Sequence, residues 1–306
     1  MADQTLQQLG VVAAALSPDV RQGPRVARSL GFRGVQLDAT STGFDVTDLS
    51  QTGRRELRHI LSSSDQHLIG LRADVGAKGL GPSADIDRLL AHLQKVMEAA
   101  KGLASPLVCL DIGALPEPPP SEKPRPQITP EQAGLIIIPS LSPPPPPPPA
   151  EPGRPGPDPR IVAQVDDALA DLGARADRLG VTVAFRSDLA SFAALERALA
   201  AAACPWFGID LDPVAILRDE WPSDELFSRL GTIIRHVRAR DAVVGADRRT
   251  RPSVIGQGST NWNELLSNLD AAGYRGWTTI DPLELTDRGA GASAGAKHLR
   301  GVAAKR

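Results

Sequence analysis

Residues 161–186 read IVAQVDDALADLGARADRLGVTVAFR. Ile161, Val165, Leu169, Leu172 and Leu179 recur at helical spacing, so Ile161 to Leu179 reads as an amphipathic helix. Val181 to Arg186, rich in β-branched residues, follows directly as a strand. A long helix running at once into a short buried strand is one step of a parallel sheet with crossover helices. Toward the C-terminus the step repeats, with helices Phe192 to Ala201, Asp224 to Leu230 and Asn263 to Ala272, strands Phe207 to Leu211, Ile233 to Arg238 and Trp277 to Asp281, and a last helix from about Ala292. Toward the N-terminus strands are expected at Leu9 to Leu16, Gly34 to Asp38, His67 to Ala73 and Pro106 to Ile112. Helices Gln22 to Leu30, stopped by Gly31, Asp48 to Ser63 and Ala84 to Leu103 lie between them. Eight βα units in one chain are the content of a closed (β/α)8 barrel, whose working face is the C-terminal end of its strands. A doubly wound open sheet is the runner-up, but the turn Leu16-Ser17-Pro18-Asp19 lacks the GxGxxG such a sheet would favour there.

Composition narrows the function classes. The chain has 306 residues, with 34 basic against 36 acidic and a formal charge of -2, so no bulk field favours nucleic acid or an anionic membrane. A small ligand is the better default. Cys109 and Cys204 are the two cysteines, too few for a disulfide framework or a thiolate zinc site. The N-terminal residues lack a basic n-region and no run of about 18 apolar residues occurs, so the expectation is a cytoplasmic protein. No nucleophile and base stand at a recognisable spacing: His59, His67, His92 and His298 are scattered, and Ser187 and Ser253 have no histidine partner by pattern.

The pattern breaks between Pro116 and Pro159, where 19 of the 28 prolines lie, including the run Pro143 to Pro149. Proline fixes φ and removes a donor, so residues 116–159 are expected as a proline-rich insertion in the fourth βα loop of one domain spanning 1–306, partly disordered. Within it, Gly134 to Ile138 is apolar enough to dock on the barrel. Pro143 to Pro149 is a candidate contact for a protein partner, weighed against a simple spacer.

Five places carry a family likeness: Val181-Thr182-Val183-Ala184-Phe185, Gly208-Ile209-Asp210-Leu211-Asp212-Pro213, His236-Val237-Arg238-Ala239-Arg240-Asp241, Gly256-Gln257-Gly258 with Trp262, and Gly273-Tyr274-Arg275-Gly276-Trp277. Together with Gly31-Phe32-Arg33-Gly34-Val35 they resemble the xylose-isomerase-like sugar phosphate isomerase/epimerase family of TIM barrels. The resemblance implies a divalent cation held by two glutamates, an aspartate and a histidine from strands five to eight. Here those places fall on Arg186, Asp212, Arg238 and Asp281, while a further histidine place falls on Ala215 and a glutamate place on Gln36. Guanidinium is always cationic and has no lone pair for a metal. The expected cofactor is therefore none, with an Arg–Asp network where the family would use a divalent metal. A two-residue shift of register would instead bring Asp210 and His236 to the site beside Asp281.

Two readings follow from the resemblance. In the first, the chain is a metal-free pseudoenzyme barrel binding a carbohydrate-like or anionic ligand through Arg186, Arg238, Arg240 and Gln257. In the alternative it is an active sugar (phosphate) isomerase or epimerase using Asp212 and Asp281 as acid–base groups with a divalent metal. The loop Asp247-Arg248-Arg249-Thr250-Arg251 reads equally as an anion grip or as a solvated charge cluster, and Gly256-Gln257-Gly258 precedes Ser259 and Thr260, good N-cap residues, so backbone donors of the next helix are expected to face the ligand.

Overall fold

The computed structural model describes residues 8–305 apart from 42, 77, 81–83, 106, 114, 117–157, 187–190 and 248. Most of the proline-rich insertion, with its Gly134 to Ile138 patch and the Pro143 to Pro149 run, lies outside the described residues, as does Arg248.

Eight parallel strands close on themselves. They are β1 (Leu9–Val12), β2 (Gly34–Asp38), β3 (His67–Asp74), β4 (Leu107–Asp111), β5 (Thr182–Arg186), β6 (Phe207–Leu211), β7 (Ile234–Ala239) and β8 (Thr278–Ile280). Each pairs with its neighbours in sequence, and the ring closes where Leu9, Gly10 and Val11 of β1 meet Thr278, Thr279 and Ile280 of β8. The chain is a (β/α)8 barrel, as the repeated units predict.

Side chains alternate across each strand. One set faces the helices: Val11, Val35, Leu71, Val108, Phe185, Ile209 and Val237 are at most 1% exposed and pack with Leu57, Leu93, Leu169, Leu195, Leu266 and Leu299 from the surrounding helices in one core cluster. The helix ahead of β5 spans Pro159–Leu179, is capped by the Asp158 carboxylate accepting from the Arg160 N–H, and ends at Gly180 in the left-handed region (φ 62°), which turns the chain straight into that strand. Elsewhere Ser50, Ser191, Asn261 and Asp287 cap the helices at Gln51–Ser63, Phe192–Ala202, Trp262–Ala271 and Arg288–Ala303.

The structure corrects several boundaries. The first strand stops at Val12 and Ala13–Leu16 turns into a helical turn, because a run of three alanines has no β-branched side chain to hold it extended. The last helix begins at Arg288 rather than Ala292, set by the Asp287 cap. A helix at Pro213–Asp219, started by Asp212 as N-cap and proline at N1, is an addition to the expected set, since seven residues carry little periodicity. Two antiparallel hairpins outside the barrel, Thr40–Ser41 with Phe44–Asp45 and Asp241–Val244 with Thr250–Ser253, are further additions.

Candidate ligand site at the barrel mouth

The inward-facing set is unusually polar. Arg72 on β3 bonds Asp281 just past β8, and β1 and β2 lie between those strands in the ring, so the two side chains can meet only across the lumen. The same parity puts Asp38, Asp74, Asp111, Arg186, Asp212, Arg238 and Arg240 at the C-terminal rim.

There Asp38, Arg72, Asp281, Arg238, Asp212, Arg240 and Glu284 form one ion-pair network, with the Arg186–Asp111 pair beside it. Asp281 accepts from Arg238 Nε at 2.7 Å, lies 2.5 Å from Arg238 Nη2, and accepts from Arg72 Nη1 at 3.1 Å. Arg72 Nε also donates to Asp38 at 2.7 Å. Asp212 accepts from Arg240 Nε through Oδ2, has Arg238 Nη1 at 3.8 Å, and caps its own helix through Oδ1, which accepts from the Val214 N–H. Arg240 continues to Glu284 at 3.1 Å, and Arg186 Nη1 lies 3.0 Å from Asp111. Asp281, Asp212 and Arg238 are at most 6% exposed. Burial raises the Asp281 pKa, but the charges of Arg238 and Arg72 and the Leu283 N–H outweigh it and bring it to about 2.

A cavity of about 440 Å³ opens over this network. It is lined by Asp38, Ala39, Thr40, Asp45, Arg72, Ala73, Asp74, His92 and Arg186. Burial opposes ionisation of Asp45, yet the hydroxyl and N–H of Thr47, the charge of His92 and the Thr40 hydroxyl hold its pKa below the ordinary value.

Of the residues expected from sequence, Arg186 lines the cavity, while Arg238, Arg240, Asp212 and Asp281 form the network beside it. Gln257 is exposed and away from the cavity. The helix after Gly256-Gln257-Gly258 is capped by Asn261 rather than by Ser259 or Thr260, and the N–H groups of Gly256, Gly258 and Thr260 ahead of it donate to Asp241, which also accepts from the Ala242 N–H and Trp262 Nε1. Arg249, with a side chain 86% exposed, lies near the neighbouring Asp247 and stands in solvent. Sequence reasoning does not find Arg72, Asp38, Asp74, Asp111, Asp45 and His92. Asp38, Arg72 and Asp111 do carry a signal, each being the charged residue near the end of an apolar strand, but their convergence requires the closed ring.

One layer deeper, the ligand-type atoms of Cys109, Asp210 and His236 lie within 4.8 Å of one another. His236 Nδ1 is 2.5 Å from Asp210 Oδ1 and Nε2 is 2.7 Å from the Thr279 hydroxyl, so both ring nitrogens are engaged. Burial first, then the Asp210 charge, push the Cys109 thiol well above its ordinary range, which disfavours the thiolate a metal would need. At the mouth the fit to a divalent ion is no better. The two guanidiniums offer no lone pair, and Asp281 and Asp212 already commit Oδ2 to arginine.

A closed βα barrel with a charged cavity at the C-terminal rim is the class that fold and site define. Residues 24–302 match the family described as xylose isomerase-like TIM barrel, and the chain belongs to it. The barrel of a xylose isomerase domain protein from Planctomyces limnophilus superposes with a TM-score of 0.68 at 17% identity, covering 92% of this chain and 91% of that one. D-psicose 3-epimerase from Clostridium cellulolyticum H10, crystallised with D-tagatose, gives 0.67 at 12% identity over 96% and 99%. A xylose isomerase-like TIM barrel protein from Mycobacterium smegmatis in complex with magnesium gives 0.63 at 14% over 93% and 88%. At these identities the likeness establishes the fold alone. No curated protein sequence matches the chain.

Proposed function

We propose that the chain is a metal-free barrel that binds a small carbohydrate-like molecule at its mouth, and that it has no metal-dependent isomerase activity. The observation that carries this is Arg238, which stands between Asp281 and Asp212 and puts a fixed positive charge beside both acids. The cavity beside it, with carboxylates, guanidiniums, a hydroxyl and an imidazole on its wall, offers donors and acceptors in the mixture a polyol needs. Xylose isomerase-like relatives of the same fold include an epimerase crystallised with D-tagatose, which supports a sugar-like ligand.

The active-enzyme alternative asks Asp212 or Asp281 to take a proton next to a carbonyl. A carboxylate with a pKa of about 2 is a poor proton acceptor at neutral pH, and Asp212 is committed to Arg240 and to a helix cap. Metal analysis of the purified protein, joined to a thermal-shift screen of divalent ions and sugars, tests the reading. Stabilisation by sugars, with no stoichiometric metal and no response to magnesium or manganese, is expected. A stoichiometric divalent ion, or stabilisation by ions alone, would overturn it.

A further inference from the structure

We infer that the ligand reaches from the mouth onto the hairpin beside it, and that it is a disaccharide or a longer carbohydrate rather than a single sugar ring. The inference rests on the reading of the mouth as a carbohydrate site and fixes the length of what enters it.

The hairpin of Thr40–Ser41 with Phe44–Asp45 leaves the C-terminal end of β2 directly after Asp38 and Ala39, which line the mouth cavity. Thr40 and Asp45 are partners in the hairpin register and line that cavity too. The same two residues line a second cavity of about 430 Å³, walled further by Ser41, Phe44, Asp48 and Leu49. The two hollows therefore meet along one edge at the base of the hairpin. At that edge Asp45 accepts from the Thr47 N–H and hydroxyl through Oδ1, while Oδ2 lies 3.4 Å from the Thr40 hydroxyl. The hairpin is tied to the barrel on both sides, since the Ala39 N–H donates to the Arg72 carbonyl at 2.7 Å and the Val46 N–H to the Ala39 carbonyl at 2.8 Å. Phe44 is thus held at a set distance from the mouth before any ligand arrives.

The chemistry of the two hollows differs in a way that one sugar ring cannot use. The mouth is walled by carboxylates, guanidiniums, a hydroxyl and an imidazole, with small alanines between them. It receives hydroxyls but offers no broad apolar surface to the C–H face of a ring. Phe44 supplies that surface. Phe32, Phe185 and Phe207 are at most 3% exposed in the core, whereas Phe44 is half-buried, packing on the core with one part and lining the second cavity with the rest. The negative face of an aromatic ring attracts the C–H groups of a sugar's flat side. Around it the Asp45 and Asp48 carboxylates and the Thr40 and Ser41 hydroxyls stand where the sugar's edge needs acceptors and donors. An apolar tail over Phe44 would leave those polar groups unmatched, so the aromatic platform with its polar surround favours a second sugar ring.

The test is calorimetry on the full chain with monosaccharides, the disaccharides built from them, and their phenyl glycosides. For a unit that binds, the disaccharide should bind about tenfold more tightly than the monosaccharide, and the phenyl glycoside should gain less. Phe44→Ala should remove the gain while monosaccharide affinity persists, and Phe44→Tyr should keep it. Asp48→Ala, an exposed change outside the core, should reduce the gain several-fold and guards against a Phe44→Ala chain that does not fold. A disaccharide that binds no more tightly than its monosaccharide overturns the extension and leaves the mouth reading standing. A gain that survives in these alanine variants, or a phenyl glycoside that outbinds the disaccharide, overturns the second ring. Absence of binding by every member of the panel sinks the reading of the mouth, and this inference with it.

Discussion

Asp281 shows how a charge network acts on stability at the scale of one residue. Its carboxyl is depressed from 3.8 to about 2, so the folded state favours the ionised form more than the unfolded chain does. The resulting stabilisation, about 2 kcal/mol, is fully present above the unfolded pKa and is lost as pH falls from about 4 through about 2. Denaturant unfolding across that window should show this loss, and Asp281→Asn should flatten it. Arg238→Met takes one guanidinium from both Asp281, which keeps Arg72, and Asp212, which keeps Arg240, and should cost roughly 3 kcal/mol at pH 7. Adding Asp281→Leu should recover much of that cost; a double variant as unstable as the sum of the two singles would mean that the pair does not act as a unit. Arg186, Arg238, Asp212 and Asp281 are legible in the sequence because the family pattern names their strand ends. Arg72 is not: its reach to Asp281 spans 209 positions of chain and exists only once the ring is closed.

At the scale of elements, the loop after β7 illustrates how the place of a glycine-rich turn can be plain in a sequence while its purpose is hidden. Gly256-Gln257-Gly258 does precede the helix at Trp262–Ala271, but its amides wrap the Asp241 carboxylate, which is 2% exposed and accepts from four backbone N–H groups and the Trp262 indole. In the sequence Asp241 resembles the polar end of a strand; its five donors come from up to 21 residues away. Asp241→Ala orphans these donors, and a loss of at least ~3 kcal/mol is expected, with faster hydrogen exchange at Gly256, Gly258 and Thr260. A Cβ at Gly258 would sit 2.2 Å from Asp241 Oδ1, so Gly258→Ala should disturb the same amides. Sequence pattern and strand agree best where β-branched residues are dense, as in β5, and part where alanines follow, as at Ala13.

For the whole molecule, closure of the ring is what turns eight similar units into one site. The units are visible in the sequence because each repeats a local period, whereas the polar lumen is not, since inward and outward residues of a parallel strand are both largely buried and alternate too weakly to be told apart. The network joins residues on or just after β2, β3, β6, β7 and β8 through Asp38, Arg72, Asp212, Arg238 and Asp281, so it depends on the seam between β1 and β8 being shut. Ending the chain after Gly276 removes β8, leaves β1 and β7 as open edges, and deprives Arg72 and Arg238 of Asp281 at one stroke. Such a truncation should lose cooperative thermal unfolding and associate through its edges, seen as a broad calorimetric transition and as larger species by light scattering. A truncated chain that stayed monomeric and melted sharply would mean that each half of the barrel carries its own stability, and the mouth could then not owe its charge arrangement to closure of the ring.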